Sequence, residues 1–245
     1  MLVVTMPAYN EAAGILAFLH RIDGAFGDDD MKIVVVDDCS TDDTLAILHA
    51  SADAFSAELV VAQNQHNRGH GPTAHHAYRR ALAEGADVVL HVDGDGQFAA
   101  ADMVRVAAGV GASPVVHGIR SNRVDPWFRK ALTGLVRVWV SIMYGVKATD
   151  ANTPLRAFDA STLRTFLDVV PKNALVPNIY LTVLASKADH GVATVSVAHL
   201  DREDGEQGTM WGNQRAPILI PKRLLKFVAQ AGRESIAMRR KLKTA

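Results

Sequence analysis

The chain has 245 residues, 26 basic and 26 acidic side chains, and a hydrophobic fraction of 49%. This composition excludes a disordered chain, and the length is sufficient for one α/β domain with a large core. The single cysteine, Cys39, excludes an intramolecular disulfide and a cysteine-rich zinc module, and it favours a reducing compartment. We expect neither a signal peptide nor a membrane-spanning helix, because no apolar run is long enough and the first residues lack a basic region.

Short β-branched apolar runs alternate with helical patterns along the first half of the chain. Strands are predicted at residues 2–6, 32–37, 58–62, 87–92 and 114–118. The helices predicted between them cover residues 11–22, 43–55, 72–84 and 100–110. This alternation predicts an α/β fold with a mostly parallel central sheet and helices on both faces.

The second half of the chain is less regular. A basic and apolar segment covers residues 127–144, and the pattern predicts helices near 161–169 and 176–187 and a strand at 192–198. Residues 222–243 contain eight basic side chains and one acid, with apolar residues at near-heptad spacing. Such a segment is attracted to an anionic surface, although a solvated helix is the plainer interpretation. We therefore predict one domain over residues 1–212 and a basic amphipathic helical appendage over 213–245.

Polar and acidic residues follow four of the predicted strands. Because ligands of open parallel sheets bind where the strands end, these loops are the places to search for a site. The loops contain, in chain order, Pro7-Ala8-Tyr9-Asn10-Glu11, Asp37-Asp38, Gly69-His70-Gly71 and Asp93-Gly94-Asp95-Gly96-Gln97.

The last of these loops places two carboxylates and an amide at alternate positions after a buried strand. Oxygen ligands of this kind suit a hard divalent cation such as Mg²⁺ or Mn²⁺. A strand-to-helix turn is the plainer interpretation, since turns favour both Asp and Gly. Asp93, Asp95 and Gln97 are thus candidate metal ligands.

The other three loops suit a nucleotide. Tyr9 can stack on a base, and Asp38 or Glu11 can accept hydrogen bonds from base or ribose donors. Gly69 and Gly71 allow the backbone to approach a ligand closely. The chain contains neither the Rossmann glycine fingerprint nor a P-loop, so any nucleotide site here is of another kind.

Helix capping is the alternative explanation for the polar residues of the first two loops. Asn10 or Glu11 can cap the first helix, and Ser40 or Thr41 can cap the second. Both roles are compatible with a ligand site at the same edge of the sheet.

Together the four loops resemble the family 2 glycosyltransferases, which have the GT-A fold with a Rossmann-like nucleotide-binding half. The matching residues are Pro7-Ala8-Tyr9-Asn10-Glu11, Asp37-Asp38-x-Ser40-Thr41-Asp42-x-Thr44, Asn67-x-Gly69-x-Gly71 and Asp93-x-Asp95-x-Gln97. Further segments resemble the polyprenyl-phosphate, or dolichyl-phosphate, mannose and glucose synthases of that family, namely Gly118-Ile119-Arg120, Arg129-Lys130, residues 150–158 and Arg202. The resemblance covers residues 1–212, the predicted GT-A catalytic domain.

The resemblance implies inverting transfer of a hexose from a nucleotide-diphosphate sugar, GDP-mannose or UDP-glucose, to a polyprenyl phosphate. It implies Mg²⁺ or Mn²⁺ on Asp93, Asp95 and Gln97, which together with Arg120 are the implied catalytic residues. The implied substrate-binding residues are Pro7, Tyr9, Asn10, Glu11, Asp37, Asp38, Gly69, Gly71, Arg129, Arg156 and Arg202. The chain departs from the family pattern at Cys39, where glycine is usual, and at residues 154–158.

The residues themselves also favour a phosphate acceptor. Transfer to a hydroxyl normally requires a carboxylate base, which related enzymes that glycosylate hydroxyls carry on the helix after the acceptor region. In this chain no Asp or Glu occurs in the corresponding interval between Asp168 and Asp189. A phosphate monoester is already anionic at neutral pH and requires positive charge to hold it. Arg120, Arg129 and Arg202 are the candidates for this charge.

Two alternatives remain open. The first is a glycosyltransferase that acts on a saccharide hydroxyl in polysaccharide or glycan assembly, with Asp125, Asp150 or a carboxylate not yet identified as the base. The second is a non-catalytic adaptor at a membrane surface, which would explain the basic tail but not the acidic loops.

The basic and aromatic residues beside the predicted acceptor site suggest contact with lipid. Trp139 and Tyr144 are aromatic residues of the type found at membrane interfaces, although a packed core helix is the alternative. We expect a peripheral protein at the cytoplasmic face of an anionic membrane. A separate membrane protein is a further candidate partner, and no nucleic acid partner is expected.

Overall fold

A computed structural model describes residues 1–27, 30–121, 127–148, 150–189, 191–198, 200 and 222–244. The strands are β1 (Leu2–Ala8), β2 (Met31–Asp37), β3 (Glu58–Gln63), β4 (Val88–His91), β5 (Val115–Ser121), β6 (Arg156–Asp159) and β7 (Ala193–Ala198). The α-helices are α1 (Ile15–Phe26), α2 (Thr44–Ala50), α3 (His70–Ala83), α4 (Ala100–Ala108), α5 (Trp127–Tyr144), α6 (Ala160–Val169), α7 (Pro177–Lys187) and α8 (Lys222–Thr244). Short 3₁₀ helices, Ala52–Ala54 and Gly109–Gly111, follow α2 and α4.

Within the described ranges, the seven strands form one sheet in the order β3-β2-β1-β4-β6-β5-β7. β1 pairs in parallel with β2 and β4, β2 pairs in parallel with β3, and β5 pairs in parallel with β7. β6 is antiparallel to both of its neighbours, β4 and β5. The predicted α/β fold with a mostly parallel sheet is confirmed.

Helices cover both faces of this sheet. On β1, Val3 packs in one hydrophobic cluster with side chains of α3, α6 and α7. Val4 and Met6 pack in a second cluster with side chains of α1 and α4. Because successive side chains of a strand point to opposite faces, a strand between two helix layers is apolar at nearly every position, which explains why Thr5 is the one polar residue of β1.

Several elements differ from the sequence prediction. The first helix begins only at Ile15, after Gly14, and α2 ends at Ala50, where the chain continues as a 3₁₀ helix. The sequence pattern does not predict β6, because its four residues, Arg-Ala-Phe-Asp, carry no clear strand periodicity. The basic and apolar segment 127–144 is a single helix, α5.

Helix α8 packs against the rest of the protein. Ser235 and Met238 are completely buried. Tyr144 Oη donates a hydrogen bond to Ser235 O (3.2 Å), and Leu175 N donates one to Glu234 Oε2 (3.0 Å). The helix is therefore integrated with α5 and α7, while the predicted boundary at residue 212 lies outside the described residues. Of the helices in the described ranges, none combines the length and the apolar character needed to cross a bilayer.

Candidate active site

Side-chain hydrogen bonds join the loops that follow β1 and β2. Asn10 N donates to Ser40 Oγ (3.0 Å), and Thr41 N donates to Asn10 Oδ1 (2.8 Å). Glu11 N donates to Thr44 Oγ1 (2.9 Å). Asn10 adopts a φ of +55°, in the left-handed region that Asn tolerates better than most residues. The two loops therefore form one connected surface.

The capping explanation for these loops is not supported. The N-cap positions are Gly14 for α1 and Asp43 for α2, and neither residue makes a side-chain capping hydrogen bond. Cys39, where the family pattern has glycine, also has a left-handed backbone with a φ of +59°. Tyr9, at the end of β1, is 44% exposed, so its ring is accessible to a ligand.

Asp38 holds the loop between β3 and α3 in place. Its Oδ1 accepts hydrogen bonds from Asn64 Nδ2 (2.8 Å) and Arg68 N (2.9 Å), and its Oδ2 accepts one from Gly69 N (2.8 Å). Only 3% of Asp38 is exposed. The Asp38 carboxylate, which we expected to contact the nucleotide, thus accepts its hydrogen bonds from the protein itself. A direct contact between Asp38 and a nucleotide stays a prediction.

Two predicted substrate contacts, Asp37 and Arg156, are completely buried. Asp37 Oδ2 accepts a hydrogen bond from Ser40 N (3.1 Å). The Arg156 guanidinium donates from Nε to Thr153 O (3.0 Å) and from Nη1 to Asn178 O (2.9 Å). Neither side chain is exposed in this structure, and the contact roles expected of them stay predictions. The hydrogen bonds of Asp37 stabilise the loop after β2, and those of Arg156 link β6 to the preceding loop and to α7.

The two glycines before and within α3 have different roles. Gly69 adopts a φ of +84°, which favours glycine, and the space around it is open. A Cβ on Gly71 would lie 2.2 Å from Leu175 O. The close approach at Gly71 is therefore to the chain itself, whereas Gly69 keeps open space for a ligand.

The acidic loop after β4 lies against the end of β1. A Cβ on Gly94 would lie 2.8 Å from Pro7 O, so the absence of a side chain permits this approach. Pro7 is buried, and its contribution here is this backbone contact. Gly96 adopts a φ of +71°, and its carbonyl accepts a hydrogen bond from Arg21 Nη2 of α1 (3.1 Å). The loop is thus fixed from two sides.

Asp93 lies between two histidines. Its Oδ1 is 3.6 Å from His70 Nε2, at the start of α3, and 3.7 Å from Nε2 of the buried His91. This oxygen is inaccessible to solvent and has no hydrogen-bond partner in the described part of the chain. Burial acts to raise the pKa of Asp93, but His70 and His91 outweigh it and hold the pKa below its usual value. The carboxylate is therefore ionised.

The sequence analysis assigned neither histidine to the site. His91 lies in β4, and its ring lies 4.5 Å from the ring of Tyr78. Burial lowers the pKa of His91. One pattern could have linked it to the site, since His91 and Asp93 are two residues apart and residues at this spacing share a face of an extended chain.

The remaining candidate metal ligands are linked to neighbouring backbone. Asp95 Oδ1 accepts a hydrogen bond from Gln97 N (3.2 Å), and Gln97 Nε2 donates to Leu200 O (3.2 Å). In the described ranges, no three His, Cys, Asp or Glu side chains are grouped so that they could hold a metal ion. The unsatisfied oxygen of Asp93 fits a cation, which would take further ligands from Asp95, Gln97, a substrate phosphate or water.

Arg120, on β5, is paired with Asp150. Its Nη2 and Nε donate to Asp150 Oδ2 at 2.8 and 3.2 Å, and both side chains are mostly buried. The side chain of Arg129, on α5, lies outside the described part of the chain, as do Asp125 and Arg202. The phosphate contacts expected of Arg129 and Arg202 stay predictions.

Comparison with known proteins agrees with this arrangement. Residues 3–169 match the model of the glycosyl transferase family 2. The chain therefore belongs to this family, and the loops described above lie within the matched region.

Curated relatives cover most of the chain. The chain is 27% identical over 206 residues to the undecaprenyl-phosphate 4-deoxy-4-formamido-L-arabinose transferase of Aeromonas hydrophila subsp. hydrophila, covering 83% of this chain and 61% of that protein. A protein of the same name from Pseudomonas fluorescens is also 27% identical, with 83% and 58% covered. The chain thus spans about three fifths of the length of these relatives.

Solved structures share the fold at low sequence identity. One is a mannosyltransferase from Pyrobaculum calidifontis in complex with GDP-Man and Mn²⁺, with a TM-score of 0.59, 21% identity, and 83% of this chain and 58% of that chain covered. Another is the glucosyl-3-phosphoglycerate synthase of Mycobacterium tuberculosis in complex with phosphoglyceric acid, with a TM-score of 0.61, 19% identity, and 97% and 78% covered. The fold is the GT-A fold.

Proposed function

We propose that this chain transfers a hexose, with inversion, from GDP-mannose or UDP-glucose to a polyprenyl phosphate, using Mg²⁺ or Mn²⁺. The observation that carries this proposal is the ionised carboxylate of Asp93, whose buried Oδ1 has no hydrogen-bond partner among the described residues. A carboxylate oxygen of this kind favours a compensating positive charge, which a divalent cation bound to the donor diphosphate would supply. The family match and the relatives named for undecaprenyl phosphate support the same activity.

The donor is proposed to lie over Tyr9, Asn10 and Glu11, with its diphosphate at Asp93 and Asp95. The exposed ring of Tyr9 is suited to stack on the base. The hydrogen bonds between the loops after β1 and β2 would hold this surface in one conformation before the donor binds. A divalent cation held by Asp93, Asp95 and Gln97 would stabilise the negative charge of the departing nucleoside diphosphate.

The acceptor is proposed to be a phosphate because it needs no general base. A phosphate oxygen can attack the anomeric carbon from the side opposite the leaving group while it already carries negative charge. A hydroxyl acceptor would require a free carboxylate, but Asp150 is nearly buried and accepts both hydrogen bonds of Arg120. This pairing favours the phosphate acceptor over the saccharide acceptor.

Helix α5 supports a position at a membrane surface. Leu135, Val138 and Ile142 are 67%, 57% and 72% exposed, and their spacing places them on one face of the helix. Exposed apolar side chains at this spacing can insert into the headgroup region of a bilayer. We therefore propose a peripheral location at the cytoplasmic face, where lipid phosphate and nucleotide sugar meet. A separate membrane protein as partner also stays part of the proposal.

The test is a transfer assay with matched acceptors. The purified chain is given GDP-mannose, UDP-glucose or a nucleotide-linked 4-deoxy-4-formamido-L-arabinose, with Mn²⁺ or Mg²⁺ and either undecaprenyl phosphate or a soluble saccharide. We expect a glycosyl phospholipid from one hexose donor and no product after chelation. Asp95→Ala should lower turnover about 100-fold or more, because charge stabilisation at the leaving group is lost. The measurement is product formed from radiolabelled donor.

Asp53→Ala is the matched control, since it removes an exposed acid of the 3₁₀ helix Ala52–Ala54, away from the acidic loop. It should leave turnover unchanged. Near-normal transfer by Asp95→Ala, or by the wild type in excess chelator, would contradict the proposed role of the loop. Product on the saccharide alone would instead establish the hydroxyl acceptor.

A further inference from the structure

His91 places an unsatisfied imidazole inside the protein. It is the last residue of β4 and is completely inaccessible to solvent, and neither its Nδ1 nor its Nε2 makes a hydrogen bond within the described chain. A buried polar group without a partner is costly, so an apolar side chain would suit the sheet better at this position. The packing of β4 therefore does not explain why this residue is a histidine.

The neighbours of His91 in the sheet direct their polar groups elsewhere. Thr5 of β1 and Arg156 of β6 flank it in the strand register. Thr5 Oγ1 donates a hydrogen bond to Ala77 O of α3 (3.0 Å). Arg156 Nη1 donates one to Asn178 O of α7 (2.9 Å). The polar side chains on both sides of His91 are therefore bound to helices and not to its imidazole.

Tyr78 of α3 packs against the imidazole ring. The two rings are both completely buried, and their centres lie 4.5 Å apart at an interplanar angle of 33°. The hydroxyl of Tyr78 is engaged elsewhere, since Tyr78 Oη donates to Asn178 Oδ1 (2.8 Å). Because packing fixes the side chain, the nitrogens of His91 have a defined position.

One of these nitrogens lies close to the acidic loop. His91 Nε2 is 3.7 Å from Asp93 Oδ1, the oxygen without a hydrogen-bond partner among the described residues. A shift of less than about 1 Å would bring the two atoms to the distance of an N–H···O hydrogen bond. The Asp93 side chain as a whole is 27% exposed, so a hydrogen bond to its buried oxygen leaves its exposed part to a ligand.

We propose that His91 is a positioning residue for the acidic loop, and that its Nε2 donates a hydrogen bond to Asp93 Oδ1 when a divalent cation is bound. A carboxylate has about four lone-pair sites, so it can accept this hydrogen bond and bind a cation. Hydrogen-bond partners of metal ligands orient these ligands and strengthen metal binding. This inference rests on the cation site of the proposed function, but it depends on neither the sugar donor nor the acceptor.

The test measures Mn²⁺ binding to the full chain, from the electron paramagnetic resonance signal of the free ion. His91→Met and His91→Gln introduce side chains of similar size, of which only glutamine carries an N–H donor. His91→Met should weaken Mn²⁺ binding about tenfold or more, because the partner of a metal ligand is lost. His91→Gln should bind Mn²⁺ nearly as tightly as the wild type, because the donor is kept.

His117→Met is the matched control. His117 of β5 is also buried, pairs with Arg156 from the other side, and has an Nε2 without a hydrogen-bond partner among the described residues. It lies two strands from His91, at about 10 Å, so its replacement should leave Mn²⁺ binding unchanged. Urea unfolding checks that each variant is folded, and His91→Leu replaces His91→Met if the latter does not unfold cooperatively.

The outcomes separate this proposal from the proposed transferase activity. Weaker Mn²⁺ binding in His91→Met, with recovery in His91→Gln, supports the positioning role even if no hexose is transferred. Equal affinity in His91→Met and His117→Met, or equal loss in His91→Met and His91→Gln, overturns the role of His91 and leaves the cation site in place. If the wild type does not bind Mn²⁺, the cation site and the role of His91 are overturned together.

Discussion

Asn10, Asp38 and Arg21 each use their polar atoms to bind the backbone of a neighbouring loop. The edge of the sheet is thus assembled by polar side chains that never need to touch a ligand. At the scale of single residues, the ring of Tyr9 is exposed, and one buried oxygen of Asp93 has no hydrogen-bond partner among the described residues. Residue type alone cannot tell a carboxylate that holds a neighbouring loop in place from a carboxylate that binds a ligand, because both kinds occur directly after the strands.

The contact between Gly94 and the end of β1 yields a prediction about stability. Gly94→Ala should lower the free energy of unfolding by about 1–3 kcal/mol, because its Cβ would lie 2.8 Å from Pro7 O. Gly24→Ala is the matched control, on the exposed face of α1 with open space around it. It should raise the free energy of unfolding by about 0.5–1 kcal/mol, since alanine favours the helix. Urea denaturation measures both, and equal stability of the two variants would contradict the contact.

The buried His75 yields a prediction about pH. Its pKa is lowered to about 4 by burial and by Arg79, whereas a histidine in the unfolded chain titrates near 6.5. Between these values the unfolded chain binds a proton that the folded chain does not. The stability is therefore fully present above about pH 6.5 and falls as the pH decreases, by up to about 1.4 kcal/mol for each pH unit.

Urea unfolding at pH 7, 6 and 5 measures this dependence. His75→Gln should show a shallower loss of stability on acidification than the wild type. His49→Gln, which removes an exposed histidine of α2, should retain the slope of the wild type. An unchanged slope in His75→Gln would show that His75 does not contribute to the acid sensitivity.

At the scale of secondary structure, the sequence predicts the parallel strands of the sheet but does not predict the antiparallel strand β6. β1 and β2 are mostly apolar, and β2 is apolar without interruption from Ile33 to Val36, because both of their faces are buried. β6 has four residues and includes Arg156, whose burial depends on backbone acceptors at Thr153 and Asn178. Asn178 lies in α7, 22 residues further along the chain, so the local pattern of β6 does not reveal this partner.

Helix α5 yields a prediction about membrane binding. Leu135→Glu/Ile142→Glu places two carboxylates on its exposed apolar face and should lower capture by anionic vesicles about tenfold or more, because the apolar burial is lost. The free energy of unfolding should change by less than about 0.5 kcal/mol, since both positions are exposed.

A charge-matched control separates apolar insertion from simple repulsion. Ala17→Glu/Ala50→Glu adds the same two charges at exposed positions of α1 and α2. Vesicle sedimentation should show normal capture of this control. Equal loss of capture in both double variants would remove α5 from the proposed membrane contact.

At the scale of the whole molecule, α8 packs against the other elements, and the division predicted at residue 212 stays a prediction. The basic, amphipathic composition of this segment indicated attraction to an anionic surface. The buried Met238 and the partly buried Leu242 instead pack in the same cluster as Val3 and Tyr180. Amphipathic spacing identifies a face that will be covered, but it does not distinguish a membrane from the protein's own surface.

This packing yields a prediction about global stability. Met238→Ala should lower the free energy of unfolding by about 2–5 kcal/mol, because it leaves a cavity in a buried cluster. Ile236→Ala, two residues earlier on the same helix, alters a side chain that is half exposed and should cost less than about 1 kcal/mol. Thermal or urea unfolding measures the difference. Similar small effects in both variants would mean that α8 does not pack as described.

Cys39 contains the only thiol of the chain and lies at the turn between β2 and α2, directly after the two buried aspartates. Its left-handed backbone stores about 1–2 kcal/mol of strain that glycine would not incur. A fluorophore coupled to this half-buried residue would therefore occupy a unique position beside the proposed donor surface. The wild-type protein thus carries an attachment point for an optical reporter that would test the proposed nucleotide-sugar binding without an engineered cysteine.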